Sequence, residues 1–440
     1  MICLYKTLIN ILFVIVVPFL PFLYLFSKKR RANLLFRLGF NSGFKKTGLK
    51  KEIAKGKTLW IHALSVGEVI SAVPFVKALK AKHKELNIVF TASTKTGFDM
   101  AEQHLLKNKG LKNKTLINQL GYFPFDLKFC IKKIIGQINP DAVIFVETDL
   151  WPNFLYEMKK KNIPIILINA RLSKRSLRGY LFFAKFVSMF FSFLTEIMVQ
   201  TPLDKKRFQA LGINKKKISV MGNIKFDQGH KKFDDSNVKN LKKCFGIQND
   251  SHVLIAGSTH KGEEKILCRV FKKLKNKFPK LLMIIAPRDP KRCDTIKSYF
   301  NSHEIQVSLM SAIKKCNNHH IVLVDSMGEL SKLYAVSDVA LIGGSMVEQG
   351  GHNPLEAAAF SKPLLFGSDM SDFLLISDML MKNGGAIEVK SEVQLTNELE
   401  SILANRQIMQ HMGRRNFEVF SRNSGAVQRI IRRMQQINIV

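Results

Sequence analysis

The sequence predicts an α/β protein built from two successive parallel-sheet domains. Three observations carry this. The 440 residues exceed what one ordinary hydrophobic core accommodates. Short apolar runs alternate with segments of helical periodicity along most of the chain, and strands that alternate with helices build a parallel sheet covered on both faces. A polar stretch at 228–240, poor in large apolar residues, interrupts that alternation near the middle and marks a linker.

Leu8 to Phe26 is apolar apart from Asn10, Pro18 and Pro21, and Ser27-Lys28-Lys29-Arg30-Arg31 follows. The run is just long enough to span a bilayer as a helix, and the basic block after it places the rest of the chain in the cytoplasm. A cleaved signal peptide would carry its charge before the apolar run. Residues 1–31 are therefore expected to be a membrane anchor with its basic flank, spanning or, given the two prolines, re-entrant. Residues 32–56 are basic and mixed, an expected interfacial segment.

The first domain is expected at 57–227. Its strands are Thr58–Ala63, Leu86–Thr91, Asp141–Val146, Ile163–Ile168 and Ile197–Val199. Helical periodicity covers Val69–Leu79, the strongly apolar Phe182–Leu194 and Pro202–Leu211. The second domain is expected at 241–410, with strands Val253–Ala256, Leu281–Ala286, Ile305–Leu309, Ile321–Val324, Asp338–Ile342, Pro363–Gly367 and an edge strand Ala386–Val389. A C-terminal helix, 411–440, is free to pack back on the first domain.

A formal charge of +35 admits two partner classes, nucleic acid or an anionic membrane surface. No zinc-finger or RNA-binding aromatic motif accompanies the lysines. The anchor favours the membrane, and no nucleic acid is expected. The six cysteines are scattered without a C-x-x-C pair, which argues against a zinc site or a disulfide scaffold. A monomer or weak self-association is expected.

In parallel sheets ligands sit beyond the carboxyl ends of the strands, where Glu68, Thr94, Glu147 and Arg171 fall. Glu68, in Ser65-Val66-Gly67-Glu68, suits a general base for an alcohol, and equally the acid of a capping box begun by Ser65. Gly257-Ser258-Thr259 suits a phosphate cradle or a capped helix start with Glu263 and Glu264 as first-turn acids. Arg288, after a buried strand and a proline, reads as an anion clamp or an inter-loop ion pair; Lys225 is comparable. Between Gly343 and Glu356 a glycine-rich loop runs into a helix with Asn353 as N-cap, Pro354 first in the helix and Glu356 third in a capping box. This is an anion seat or a tight βα turn. Glu356 suits ribose hydroxyls as well as its own helix. His62 reads as a core or cleft residue and His319-His320 as exposed. No metal-binding pattern, Walker motif or G-x-G-x-x-G after the first strand is present.

In order and spacing, these motifs resemble the 3-deoxy-D-manno-octulosonic acid (Kdo) transferases of lipid A biosynthesis. The likeness runs through His62-Ala63-Leu64-Ser65-Val66-Gly67-Glu68, Glu147-Thr148-Asp149-Leu150-Trp151-Pro152-Asn153, Asn169-Ala170-Arg171-Leu172-Ser173 and Gly222-Asn223-Ile224-Lys225-Phe226-Asp227. It continues in Gly257-Ser258-Thr259, Pro287-Arg288, Gly343-Gly344-Ser345 and Gly351-His352-Asn353-Pro354-Leu355-Glu356. The resemblance implies the GT-B fold, two Rossmann-like domains facing a cleft. It implies metal-independent transfer of Kdo from CMP-Kdo to the glucosamine disaccharide of a lipid A precursor, at the cytoplasmic face of the inner membrane and without a cofactor. It casts Glu68 as general base. Ser258, Arg288, Asn353 and Glu356 then hold CMP, with Gly344 and Ser345 lining the turn. Lys225 and Arg171 handle the sugar carboxylate or the acceptor phosphates. Asp289 stands where the family often has His, Ala357 where it usually has Pro, and Asp149 where Glu is common. The alternatives are another membrane-associated GT-B transferase using a different nucleotide sugar, and a non-catalytic basic module that binds membrane or nucleic acid.

Overall fold

A computed structural model describes residues 35–39, 44–46, 56–106, 115–148, 151–227, 235–313 and 319–440. The expected anchor, most of the interfacial segment and Asp149 lie outside the described residues. Among the described residues no helix is long and apolar enough to cross a membrane.

The chain divides into two compact units, residues 1–228 with 424–440, and residues 229–423. The first holds β1 (Lys45–Lys46), β2 (Thr58–Ala63), β3 (Asn87–Ala92), β4 (Gln119–Tyr122), β5 (Ala142–Val146), β6 (Ile165–Ala170), β7 (Glu196–Val199) and β8 (Ile218–Val220). They form one sheet in the order β1-β4-β3-β2-β5-β6-β7-β8. All pairs are parallel except β1 with β4. The central strands are buried on both faces, as their unbroken apolar runs require. Alternate residues feed two cores. Leu59, Ile61 and Phe90 pack on one side, and Trp60, Phe145 and Phe154 contribute to the other. Sequence periodicity misses β4, which is four residues long and contains Gly121. A Cβ on Gly121 would stand 2.5 Å from the Phe44 ring.

The expected helix Phe182–Leu194 is present as Ala184–Phe191, and a separate helix, Lys174–Phe182, precedes it and meets it at Phe183. Ser173 starts the first by accepting the Ser176 N–H at 3.0 Å.

The end of the chain completes the first unit. Helix Arg406–Asn423 runs unbroken through residue 411, and the chain leaves the second unit at Ser424. Gly425 turns there with φ of 85° and opens helix Ala426–Gln436. The Asp227 carboxylate accepts the N–H groups of Gly425 and Val427 at 2.5 and 2.6 Å. Arg433 donates twice to Glu196, at 3.0 and 3.1 Å. Ile430, Ile431 and Met434 join the core with Leu59 and Phe90.

The second unit holds β9 (His252–Thr259), β10 (Leu281–Pro287), β11 (Val307–Leu309), β12 (Ile321–Leu323), β13 (Val339–Ile342), β14 (Leu364–Phe366) and β15 (Ala386–Glu388). Their order is β11-β12-β10-β9-β13-β14-β15, and all are parallel. Part of the expected linker 228–240 is helical: helix Asp235–Cys244 packs against helix Leu330–Val336. Near the middle of each sheet the strand order reverses, between β2 and β5 and between β9 and β13. Such reversals open a crevice at the carboxyl ends of the strands.

Candidate functional site

In the first unit, helix Val66–Lys82 starts beside the β2/β5 reversal. Glu68 is half-buried there. Its carboxylate accepts the Leu64 N–H at 2.5 Å and the Ser65 hydroxyl at 3.2 Å. Ser65 caps no backbone N–H in return. The capping box is thus half-formed and reaches one residue further back than expected. These contacts hold the carboxylate on the strand-to-helix turn.

The loops after β5, β6 and β8 share that edge. Glu147 follows β5 with φ of 64°, and Asn169 near the end of β6 has φ of 55°. Left-handed backbone at a non-glycine residue is costly and gathers at functional sites. The β6–β7 register shifts between Leu167 and Ala170, so the turn at Asn169 lies within an irregularity that re-aims the strand end. The buried Asn169 side chain accepts the Ile224 N–H at 3.1 Å, and its carbonyl accepts Gln200 Nε2 at 3.0 Å. This ties down the short turn that carries Lys225, whose own N–H donates to Asn223 Oδ1 at 2.9 Å. Arg171 is held through its backbone. Its N–H donates to Thr148 Oγ1 at 3.1 Å and its carbonyl accepts that hydroxyl at 2.6 Å, leaving an exposed side chain.

His62 sits below this edge, 1% exposed, and stacks on Phe123 with ring centroids 4.0 Å apart. Its Nδ1 donates to the Thr91 carbonyl at 3.0 Å. Burial pushes its pKa down to about 3, so it is a neutral core residue. His319, expected exposed, is partly buried and bonded to Ser308 Oγ at 2.8 Å.

In the second unit β9 bulges at Ser258. Gly257 pairs with Ala286 and Thr259 with Pro287, which leaves Ser258 as the extra residue at φ of 60°. The two acids that follow are buried. Glu264 accepts the Thr259 hydroxyl and Arg292 Nη2, both at 2.9 Å. Glu263 is 1% exposed and accepts three backbone N–H groups: His260 and Gly344 at 2.8 Å, and Met346 at 3.1 Å.

That arrangement changes the reading of the stretch from Gly343 to Glu356. Its amides are largely taken up inside the protein. Gly343 N–H donates to the Gly257 carbonyl at 2.8 Å, Gly351 N–H to the Gly344 carbonyl at 3.0 Å, and Gly350 N–H to Asp369 Oδ2 at 2.6 Å. Ser345 is buried: its hydroxyl donates to the Ile342 carbonyl at 2.5 Å and accepts Gly367 N–H at 2.7 Å, so it joins β13 to β14. Only glycine fits at 343, where a Cβ would stand 2.4 Å from the Ser258 carbonyl oxygen. The helix beyond is a single turn, Leu355–Ala358, with Pro354 in the N-cap position. Asn353 Oδ1 accepts the Leu355 N–H at 3.1 Å. Glu356 is therefore the second helical residue, which departs from the expected capping-box spacing. It is half-buried near Tyr334; burial first, then the Glu356 charge, raises the Tyr334 pKa.

Two histidines that sequence reasoning passed over stand beside this turn. His260 and His352 share a hydrogen bond, Nε2 to Nε2 at 2.8 Å. Gly344, at φ of 70°, lies against both rings. Burial, then the charges of Arg288 and His260, pushes the His352 pKa down to about 4. The Arg288 side chain is exposed, and its N–H donates to the Thr259 carbonyl at 3.0 Å. Asp289 accepts the Lys291 N–H at 3.1 Å and shapes the next turn. Ser258 near the end of β9, His260, Arg288 and His352 in the loops beyond the strands, and Glu356 in the short helix thus lie past the carboxyl ends of β9, β10 and β13, with a cation and a hydroxyl suited to a phosphate. Among the described residues no group of three or more His, Cys, Asp or Glu is placed to hold a metal ion.

Two doubly wound units, each with charged side chains at the reversal of its sheet, define a GT-B-like α/β fold. A UDP-GlcNAc 2-epimerase from Neisseria meningitidis shares that fold, with a TM-score of 0.53 and 15% identity over 86% of this chain and 100% of that one. Residues 36–228 match the family model described as 3-deoxy-D-manno-octulosonic-acid transferase (kdotransferase). A 3-deoxy-D-manno-octulosonic acid transferase from Haemophilus influenzae is 33% identical over 97% of this chain and 96% of its own length. Another from Rickettsia typhi is 30% identical over 85% of this chain and 76% of its own. The chain belongs to the 3-deoxy-D-manno-octulosonic acid transferase family of glycosyltransferases.

Proposed function

We propose that this chain transfers Kdo from CMP-Kdo to the glucosamine disaccharide of a lipid A precursor, with Glu68 as general base. Family identity across nearly the whole chain carries the reading. Glu68 adds the chemistry: a half-buried carboxylate, oriented by Leu64 and Ser65, at the strand edge where a ligand is expected. It accepts the proton of the acceptor hydroxyl. The acceptor oxygen bonds to the anomeric carbon of Kdo as the bond from that carbon to the phosphate oxygen breaks, and CMP departs with the electron pair. Arg288 and Ser258 meet the phosphate charge. Glu356 and Asn353 serve the nucleoside, and Lys225 and Arg171 the sugar carboxylate or acceptor phosphates. Gly344 and Ser345 shape the donor loop, with the interior of the protein using their polar groups. Residues 8–26 anchor the chain at the cytoplasmic face of the inner membrane.

The test incubates the purified full chain with CMP-Kdo and a tetra-acylated lipid A precursor and weighs the lipid product. Addition of one or more Kdo masses is expected. No added mass while CMP-Kdo is intact and bound would overturn the reading. Glu68→Gln should lose about 100-fold or more in turnover, as removal of a general base does, and keep CMP-Kdo binding. Turnover within threefold of the parent would remove Glu68 from the base role.

A further inference from the structure

The helical elbow of the first unit exposes apolar surface among the described residues. Helix Lys174–Phe182 has no buried residue. At its end three consecutive large apolar side chains face solvent: Leu181, Phe182 and Phe183 are 44%, 82% and 61% exposed. The next helix, Ala184–Phe191, roots the elbow in the core through Val187, Phe190 and Phe191. The tip therefore projects from a packed base.

Its surroundings are strongly cationic. Arg171, Lys174, Arg175, Arg178 and Lys185 are all exposed, and no Asp or Glu occurs between Arg171 and Thr195. Aromatic and aliphatic side chains at a tip, with lysine and arginine around them, match the layering of an anionic bilayer: apolar groups enter the acyl boundary and cations meet headgroup phosphates. A second copy of the chain fits less well, because pairing this face with itself would set uncompensated cations together.

We infer that the Leu181-Phe182-Phe183 elbow inserts into the surface of an anionic phospholipid bilayer. It is a second membrane contact, separate from the N-terminal apolar run. Its placement serves the site. Arg171 opens the segment directly after β6 and is bonded to Thr148 after β5, at the same sheet edge as Glu68. Insertion there fixes that edge against the membrane, where a lipid-borne hydroxyl is presented. This purpose rests on the proposed lipid acceptor, whereas the insertion itself is measured without any transfer.

The test uses the full chain carrying Phe182→Trp, bound to phosphatidylglycerol vesicles with plain or brominated acyl chains. Parent protein corrects for Trp60 and Trp151. The added indole should shift to the blue and be quenched by the brominated chains. Equal emission in both vesicle types, with the protein still vesicle-bound, would overturn the proposal. So would burial of the indole by self-association without lipid. In a second arm, Phe182→Ser with Phe183→Ser should raise KM for acceptor in phosphatidylglycerol vesicles by about tenfold or more, with KM for CMP-Kdo and Tm unchanged. An unchanged vesicle KM would overturn the link to the site. Insertion without any Kdo transfer would sink the proposed function and leave the membrane contact standing.

Discussion

Replacing Glu263 by Gln removes the charge that gathers the glycine-rich turn after β13 while keeping the side-chain volume. The carboxylate is 1% exposed and accepts N–H groups from His260, Gly344 and Met346 at 2.8, 2.8 and 3.1 Å. The glutamine oxygen can stay where Oε2 now serves His260 and Gly344. Its amide nitrogen then faces the Met346 N–H, donor against donor. The loss comprises a hydrogen bond to a charged acceptor, about 1.5–3 kcal/mol, and a buried N–H without a partner, about 1–3 kcal/mol. Relief of carboxylate desolvation offsets part of this, so a net cost of about 2–4 kcal/mol is expected. Both tryptophans, Trp60 and Trp151, belong to the first unit, so their fluorescence reports the wrong half of the chain. Hydrogen exchange read by mass spectrometry on a peptide spanning Gly343–Gly351 reports the right one. Protection there should fall about 30- to 1000-fold, the equivalent of that cost, and KM for CMP-Kdo should rise with it. Protection within about threefold of the parent would refute the assignment of Glu263 as organiser of the turn.

Two further outcomes concern the first unit. Asp227→Ala should cost about 0.5–2 kcal/mol by removing the cap of the last helix; exchange across Ala426–Gln436 should quicken while the second unit is unaffected, and equal exchange would deny the cap its role. His62 should contribute to acid lability: its folded pKa of about 3 lies below the ordinary 6.5, so the unfolded chain binds a proton first as pH falls. The stabilisation is full above about 6.5 and is lost towards about 3. His62→Gln should flatten the pH slope of stability in that window, followed by Trp60 fluorescence, and an unchanged slope would place the acid sensitivity elsewhere.

Much of the architecture was legible in one dimension. Buried strands such as Leu281–Pro287 announce themselves by unbroken apolar runs. The short strands β4 and β8 carry too few residues to show a period. The helix Lys174–Phe182 has no buried residue, so no apolar face marks it in the sequence. Among the candidate site residues, Arg288 was visible because it follows β10 directly, and Glu68 because it lies in the strand-to-helix turn after β2. His260 and His352 were not, since nothing local says that histidines 92 positions apart share a hydrogen bond.

Sequence alone determined the alternation of strand and helix, the order of the family motifs, the positions of Ser258 and Arg288 at strand ends and that of Glu68 at a helix start. These depend on residue type and near neighbours, which act over a turn or a pleat. Only the tertiary structure decided what the glycine loop does with its amides. Glu263 reaches Gly344 across 81 positions, and Asp227 reaches Gly425 across 198. Sheet register brings such partners together, and register is a collective result of packing. The loop that reads locally as an open anion seat therefore folds around a carboxylate of its own chain.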